Sequence, residues 1–159
     1  MYKRILAAID GSRGARLALD EALKIAQASD ATITAISVVE HPAQRVEVGN
    51  LFVEAPPPAT TAANEAATAA LEEVRELFQR RHVRGQTRAI DGYGEDVATV
   101  LSRAADELDA DLVVLGTRGR HGVRRVLLGS VAESFLRLSR VPVLLVRDDP
   151  GVDPIPSDL

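Results

Sequence analysis

The sequence contains no cysteine and no tryptophan, and aromatic residues make up only 3% of its 159 residues. The absence of cysteine excludes a disulfide framework, a thiolate nucleophile and cysteine-ligated zinc or iron–sulfur sites. Scarce aromatic side chains leave little with which to stack single-stranded bases. A formal net charge of -4 gives no global attraction to nucleic acids or to anionic membranes. We therefore expect no nucleic-acid partner, and any basic function must be local.

Long hydrophobic runs are also missing. No apolar run approaches the length that spans a bilayer, and the first one, from Ile5 to Ile9, is too short for a signal peptide. We therefore expect a cytoplasmic protein without a membrane partner. An apolar content of 46% in a chain of this length fits a single domain with one core.

Five short segments rich in β-branched residues or leucine alternate with stretches of helical periodicity. This alternation predicts an α/β fold, in which helices cover a parallel sheet. The predicted strands are residues 4–9, 32–39, 86–90, 111–115 and 143–146. The stretch from His41 to Thr61 contains Pro42, Gly49 and three consecutive prolines, so we predict a loop or lid there. We predict one domain over residues 1–147 and a flexible C-terminal tail over residues 148–159, which holds three prolines.

Two predicted loops leave the carboxyl edge of this sheet, where ligands bind in open parallel sheets. The first is Asp10-Gly11-Ser12, after the first strand, and the second is the glycine-containing loop after the fourth strand. Asp10 could accept hydrogen bonds from ribose hydroxyls or hold a phosphate-bound Mg²⁺, and it could equally be a turn residue. If the two strands are neighbours, both loops line one cleft.

The second loop has the composition of a phosphate site. Gly116 and Gly119 allow close backbone approach, and Gly129-Ser130 begins a helix whose N-terminus favours an anion. Arginines add local positive charge; they are Arg118, Arg120, Arg124 and Arg125. The alternative is structural: the glycines make a turn, the arginines are solvated, and Ser130 caps its helix in a capping box with Glu133.

The standard nucleotide signatures are absent. Neither G-x-x-x-x-G-K-[ST] nor G-x-G-x-x-G occurs in the sequence. The three histidines, His41, His82 and His121, do not have metal-ligand spacing, so we predict no protein-held metal.

At these residues the sequence resembles the universal stress protein family. Gly116, Gly119, Gly129 and Ser130 match G-x2-G-x9-G-[ST], the motif of the ATP-binding branch of that family. The resemblance implies a doubly wound five-stranded sheet in the order 3-2-1-4-5, with helices on both faces and ATP between the first and fourth strand ends. It also implies a homodimer joined along the last strand, from Val141 to Arg147, whose exposed apolar edge needs a partner.

The resemblance further implies which residues hold ATP, with Mg²⁺ bound through the phosphates and Asp10. Adenosine is expected to contact Ala8, Ile9 and Asp10, and Val38 to meet adenine through its backbone. The phosphates are expected to contact Gly116, Gly119, Gly129, Ser130 and Val131. We add Arg120 as a phosphate contact and Leu115, which precedes the loop.

Four functions are weighed against these residues. A regulatory protein of the stress response would use bound ATP to order the lid and change a surface for a protein partner. A slow ATPase would need Asp10 or His121 to position water, but the residues of efficient phosphoryl transfer are not visible. An ATP pyrophosphatase-like enzyme is disfavoured because Ile9-Asp10-Gly11-Ser12 replaces its serine-glycine-glycine loop. A dimeric scaffold with an empty site is disfavoured by the intact glycine spacing. We therefore expect a binding protein rather than an enzyme, with ADP, cyclic AMP and GTP as alternatives to ATP.

Overall fold

The computed structural model describes residues 1–40, 44–49, 51–55, 61–118 and 128–148. Its elements, in chain order, are β1 (Arg4–Ala8), α1 (Arg13–Ser29), β2 (Thr32–Val39), β3 (Gln44–Val48), β4 (Leu51–Ala55), α2 (Thr61–Arg80), β5 (Gly85–Asp91), α3 (Val97–Glu107), β6 (Leu112–Gly116), α4 (Ser130–Leu138) and β7 (Val143–Val146).

The central sheet has five parallel strands in the order β5-β2-β1-β6-β7. In the numbering of the sheet strands alone this is 3-2-1-4-5, so the predicted fold class and strand order are confirmed. β2 and β7 have the predicted bounds, and the other three strands differ by one residue at one or both ends. β1 ends at Ala8, yet the Ile9 backbone N–H still donates to the carbonyl of Ile36 at 2.8 Å.

Helices cover both faces of this sheet. On one face, α1 and α2 bury a core cluster with β1 and β2 that includes Ile5, Ala7, Ile33, Ala35, Leu19, Leu23, Leu71, Val74 and Phe78. On the other face, α3 and α4 bury a second cluster that includes Leu6, Ile36, Leu101, Val113 and Phe135. The central strands are apolar at successive positions because both of their faces are covered.

The backbone N–H and C=O groups of β2 point alternately toward β1 and toward β5. The Thr32 N–H donates to Lys3 and the Ile36 carbonyl accepts from Ile9, so even-numbered residues exchange backbone hydrogen bonds with the β1 side. Odd-numbered residues bond toward β5, since the Ile33 N–H donates to Arg84 and the Val39 carbonyl accepts from Gly92. β2 also extends beyond the end of β1, because Ala8 is paired with Ile36 and three residues of β2 follow that pair.

The segment predicted as a loop or lid contains regular structure, which corrects that prediction. β3 and β4 form an antiparallel two-stranded sheet, with Val48 opposite Leu51. Gly49, which follows Val48, has a φ of +67°, a value that suits glycine in a tight hairpin connection. Residues 41–43, 50 and 56–60 of the predicted lid lie outside the described residues.

Within the described residues, no helix is sufficiently long and apolar to cross a membrane. Asp148, the first residue of the predicted tail, contacts the main domain: its Oδ1 atom lies 3.5 Å from Nε of Arg13, the first residue of α1. The remainder of the predicted tail, residues 149–159, lies outside the described residues.

Candidate functional site

A cleft opens at the carboxyl edge of the sheet, where β1 and β6 are neighbours. The chain leaves β1 toward α1 on one face and leaves β6 toward α4 on the other, so their connections diverge. This is the topological switch point at which open α/β sheets bind ligands. The cavity measures about 290 Å³ and is bounded by the ends of β1, β2 and β6 and by the N-terminal parts of α1, α2, α3 and α4.

The turn between β1 and α1 forms one wall of the cleft. The Asp10 carboxylate accepts a hydrogen bond from the Ser12 backbone N–H at 2.8 Å, and the Ser12 hydroxyl accepts from the Ala15 N–H at 3.1 Å. Between them, Gly11 has a φ of +78°, which favours glycine. Asp10 is therefore a turn residue, as the alternative interpretation predicted, because its Oδ1 atom accepts this hydrogen bond. Asp10 also lines the cleft. Ser12 is the N-cap of α1 and lines the cleft as well.

The backbone of Val38 contributes a donor and an acceptor to this region. Even-numbered residues of β2 direct their N–H and C=O groups toward the β1 side, and Val38 follows Ile36 in that series. Because β1 ends at Ala8, opposite Ile36, these groups of Val38 point past the end of β1. An N–H beside a C=O complements the edge of a purine base, which presents acceptors beside donors.

The N-terminus of α4 forms the wall opposite α1. Gly129 is the N-cap residue, with φ -67° and ψ 159°, and no side-chain hydrogen bond caps the helix. The predicted capping box is therefore wrong: Ser130 is already the first helical residue, and Glu133 pairs with Arg137 at 2.8 Å. Because glycine is also an acceptable N-cap residue, the helix starts one position earlier than the capping box requires. The exposed Ser130 hydroxyl lies at a helix end that carries partial positive charge.

Gly116, the first glycine of the motif, is in close contact with α1. A Cβ atom built on Gly116 would lie 2.7 Å from the carbonyl carbon of Gly14. A Cβ atom on Gly14 would collide with the carbonyl oxygen of Arg118. Both glycines therefore allow α1 to approach the end of β6, and this contact joins two walls of the cleft.

Every predicted site residue that the structure describes lines this cleft: Ala8, Ile9, Asp10, Val38, Leu115, Gly116, Gly129, Ser130 and Val131. Their roles in binding stay predictions. The two remaining predicted residues, Gly119 and Arg120, lie outside the described residues, as do His121, Arg124 and Arg125. Of the four arginines assigned to the loop, Arg118 is described, and it lines the cleft.

Sequence reasoning missed a second group of lining residues. Two buried hydroxyl residues are among them, Ser37 with 5% and Thr117 with 6% of their surface exposed. The others are the acidic residues Glu40 and Asp96 and an alanine face of α2 made by Ala63, Ala66, Ala67 and Ala70. None of these has a local sequence signal, because each looks like an ordinary strand, loop or helix residue until the tertiary structure is known.

The charges around the cleft are mixed. Asp10, Glu40 and Asp96 supply carboxylates and Arg118 a guanidinium. Next to Asp96, the Glu95 carboxylate accepts a hydrogen bond from Arg103, and this bond lowers the pKa of Glu95 below its usual value. Glu95 is thus held ionised by its own partner at the start of α3. In the described part of the chain no cluster of three or more His, Asp or Glu side chains is placed to hold a metal ion.

Comparisons with known proteins agree with this fold. The model of the universal stress protein family matches residues 1–147. A relative from Staphylococcus saprophyticus, named after the same family, is 29% identical over 157 residues, covering 93% of this chain and 85% of the relative.

Solved structures give the same result. A universal stress family protein from Burkholderia pseudomallei is 31% identical with a TM-score of 0.66, covering 91% of this chain and 96% of that one. A universal stress protein in complex with cAMP is 26% identical with a TM-score of 0.67, covering 92% and 97%. The Lactobacillus plantarum protein UspA, at 24% identity and a TM-score of 0.75 over 92% and 98%, shares the fold.

Proposed function

Because this chain belongs to the universal stress protein family, we propose that its cleft binds an adenine nucleotide, ATP with Mg²⁺, and that the bound state regulates a protein partner. The observation that carries the proposal is the pairing of two features in one cavity. One is the Val38 backbone beyond the end of β1, and the other is the α4 N-terminus without a side-chain cap. The first suits a base and the second suits phosphate.

The proposed phosphate site is supported by the N-terminus of α4. Helix N-termini bind anions through backbone N–H groups and partial positive charge. Gly129 has no side chain to block this approach, and the Ser130 hydroxyl is not used to cap its own helix. Arg118 adds a full positive charge at the same cleft. ATP carries its negative charge on its phosphates, so this end is where we expect them.

The proposed adenine site is supported by the backbone of β2 and by one solved relative. The Val38 N–H and C=O groups can pair with the N1 and N6 edge of adenine. The solved universal stress protein bound to cAMP, 26% identical to this chain, carries the same base. We therefore expect adenine to be preferred over guanine.

Mg²⁺ fits this site only together with phosphates. Asp10 offers a carboxylate at the cleft, and Mg²⁺ prefers one or two carboxylates plus phosphate oxygens and water. When bound, Mg²⁺ would neutralise phosphate charge. This chain's own residues would then hold the base at Val38 and the phosphates at Gly129 and Ser130.

A regulatory role in the cytoplasm is preferred to catalysis. Efficient phosphoryl transfer positions a lysine, an arginine and a base around the γ-phosphate. The described part of the cleft offers Arg118 and three carboxylates, and contains no lysine. Binding that favours one arrangement of the cleft walls would change the surface presented to a partner. We accordingly expect negligible hydrolysis.

We also propose a homodimer joined along β7. Val113 donates to the Pro142 carbonyl and Thr117 donates to that of Val146, so even-numbered residues of this segment bond toward β6. Val143 and Leu145 therefore direct their backbone groups toward the outer edge of the described sheet. On α4, the helix that precedes β7 in the chain, Leu136 and Leu138 are 43% and 47% exposed. Unpaired backbone groups at a strand edge favour pairing with a second copy, and exposed apolar side chains favour burial in an interface.

The test is thermal unfolding of nucleotide-stripped protein with ATP and Mg²⁺, with phosphate release assayed in the same samples. A ligand at 100 times its Kd stabilises by about 2.7 kcal/mol, which for a chain of this size corresponds to roughly 5–11 °C. We expect such a shift with ATP, a smaller shift with GTP, and negligible phosphate release. No shift with any nucleotide would refute the proposal. Steady phosphate release would show that the protein is an ATPase and would contradict a purely regulatory role.

A further inference from the structure

The β3–β4 hairpin is separate from the main sheet. Among the described residues, β3 and β4 pair with each other and with no other strand. A two-stranded hairpin alone is at best marginally stable in water. Each of its outer edges presents a row of backbone N–H and C=O groups, to which a further strand can bond. A third strand at one of these edges would therefore stabilise the hairpin.

The register of the hairpin shows which backbone groups of β3 face its outer edge. Val48 lies opposite Leu51, and these two residues close the connection between the strands. Such a closing pair exchanges both of its backbone hydrogen bonds, and every second pair along the ladder does the same. Arg45 and Glu47 belong to the alternate pairs. Their N–H and C=O groups therefore point away from β4, toward the open edge.

The charges at these two positions complement a second copy of the same strand. When two β3 strands lie antiparallel about Val46, Arg45 of each chain is opposite Glu47 of the other. Both positions have outward backbone groups, so this pairing satisfies the antiparallel hydrogen-bond pattern. The neighbouring registers with the same hydrogen-bond pattern place Arg45 opposite Arg45 or Glu47 opposite Glu47. Like charges directly opposite each other are destabilising, so one register is selected.

The outer edge of β4 lacks this complementarity. Its outward positions are Phe52 and Glu54, and antiparallel pairing about Val53 would place Phe52 opposite Glu54. That pair brings no opposite charges together. An edge with charge of a single sign also repels its own copy, whereas β3 carries one charge of each sign. Charge and register therefore both favour the β3 edge and a second copy of this chain as its partner.

We propose that β3 pairs antiparallel with β3 of a second copy, centred on Val46 and fixed by two Arg45–Glu47 pairs. This contact is distinct from the β7 edge, so it joins β7 dimers to one another. The paired edge is five residues long, and the area that it buries is smaller than a stable complex requires. We therefore expect reversible association at protein concentrations well above the micromolar range, where the β7 dimer is expected to form.

The experiment is sedimentation velocity of the full chain without ligand, from micromolar to near-millimolar concentration. Wild type, Arg45→Glu, Glu47→Arg and an equimolar mixture of the two variants are compared. The average mass of wild type should rise with concentration. Each variant alone should not show this rise, because like charges meet at both positions. In the mixture opposite charges meet again, so the rise should return. Both variants keep a net negative charge, so mixing adds no general attraction between chains.

Glu47→Gln and Glu54→Gln form a matched pair, because they make the same change on the two edges of one hairpin. By symmetry, Glu47→Gln removes both opposite-charge pairs of the contact. It should weaken the association roughly 2- to 30-fold. Glu54→Gln should leave the association as in wild type, because β4 is not part of the contact.

A wild-type mass that stays constant over the whole concentration range would overturn the inference. A mixture that associates no more than the separate variants would also overturn it, since mixing would not rescue a hairpin that had merely lost its structure. Equal weakening by Glu47→Gln and Glu54→Gln would exclude the β3 edge as the contact. Nucleotide binding takes no part in this experiment, so each of these results leaves the proposed function intact.

Discussion

Gly14 and Gly116 pack backbone against backbone at the base of the cleft. A Cβ atom on Gly116 would lie 2.7 Å from the Gly14 carbonyl carbon and 2.8 Å from its oxygen. Real Cβ atoms do not approach backbone atoms so closely, so α1 would have to move away from β6. The first glycine of the family motif therefore has a packing role that is independent of any ligand.

Gly116→Ala should destabilise the protein by about 1–3 kcal/mol, the usual cost of overpacking. Gly129→Ala should cost less, about 0.5–1 kcal/mol, because φ -67° and ψ 159° suit alanine but alanine is a poorer N-cap residue than glycine. Urea unfolding followed by circular dichroism measures both. Wild-type stability in Gly116→Ala would contradict the described contact. For binding studies Gly129→Ala is the cleaner variant, because it does not disturb α1.

Ser12 and Ser130 form a matched pair, since both lie at a helix start and both line the cleft. The Ser12 hydroxyl accepts from Ala15, so Ser12→Ala should lose about 1 kcal/mol of stability. Ser130 caps nothing through its side chain, so Ser130→Ala should be nearly neutral for stability and should weaken ATP binding. Thermal unfolding without ligand and titration with ATP separate the two effects. Equal destabilisation by both changes would instead indicate that the Ser130 side chain caps α4, as in the capping box that the sequence predicts.

The fold was predictable because the sheet is buried on both faces. Continuous apolar segments such as residues 32–39 and 143–146 can be recognised in one sequence, and the helices between them have clear stripes. The β3–β4 hairpin was missed because Pro42 and the run of prolines favour a loop, and the loop prediction was extended over the whole segment. A signal was present, since Gly49-Asn50 separates two short runs that contain valine and other apolar residues and is typical of a two-residue hairpin connection.

The cleft was predictable where its residues lie at strand ends and glycine turns, such as Asp10 and Gly129. Ser37 and Ala66 were not predictable, because they become part of the site only when β2 and α2 pack together. The prediction that Ser130 caps α4 was wrong because Gly129 and Ser130 are both possible N-cap residues, and local spacing does not distinguish them. The contact between Gly14 and Gly116 joins residues about a hundred positions apart and has no local signal.

Asp10 can be tested by separating its turn role from its ligand role. Asp10→Asn keeps an oxygen that can accept from the Ser12 N–H, so its unfolding temperature should stay close to that of wild type. Without the negative charge, the gain in ATP affinity that Mg²⁺ gives should shrink. Asp10→Ala should lose stability as well, because the turn loses its acceptor. Titration with ATP, with and without Mg²⁺, measures the ligand role, and an undiminished Mg²⁺ effect in Asp10→Asn would argue against it.

The proposed dimer can be tested at the outer edge of β7. Leu145 directs its N–H away from β6, so Leu145→Pro removes an outer donor without removing a hydrogen bond to β6. We expect wild-type protein to sediment as a dimer and Leu145→Pro as a monomer. Leu138→Glu, a charge on the exposed part of α4, should weaken the dimer without affecting the core. A wild-type monomer at micromolar concentration would contradict this interface.

The most direct test of the account is calorimetric titration of nucleotide-stripped protein with ATP and Mg²⁺, comparing wild type with Gly129→Ala and Ser130→Ala. We expect saturable binding at one site per chain, weakened by each substitution at the α4 N-terminus, with circular dichroism spectra unchanged. Absence of binding to wild type, or wild-type affinity in both variants, would contradict a nucleotide site in this cleft.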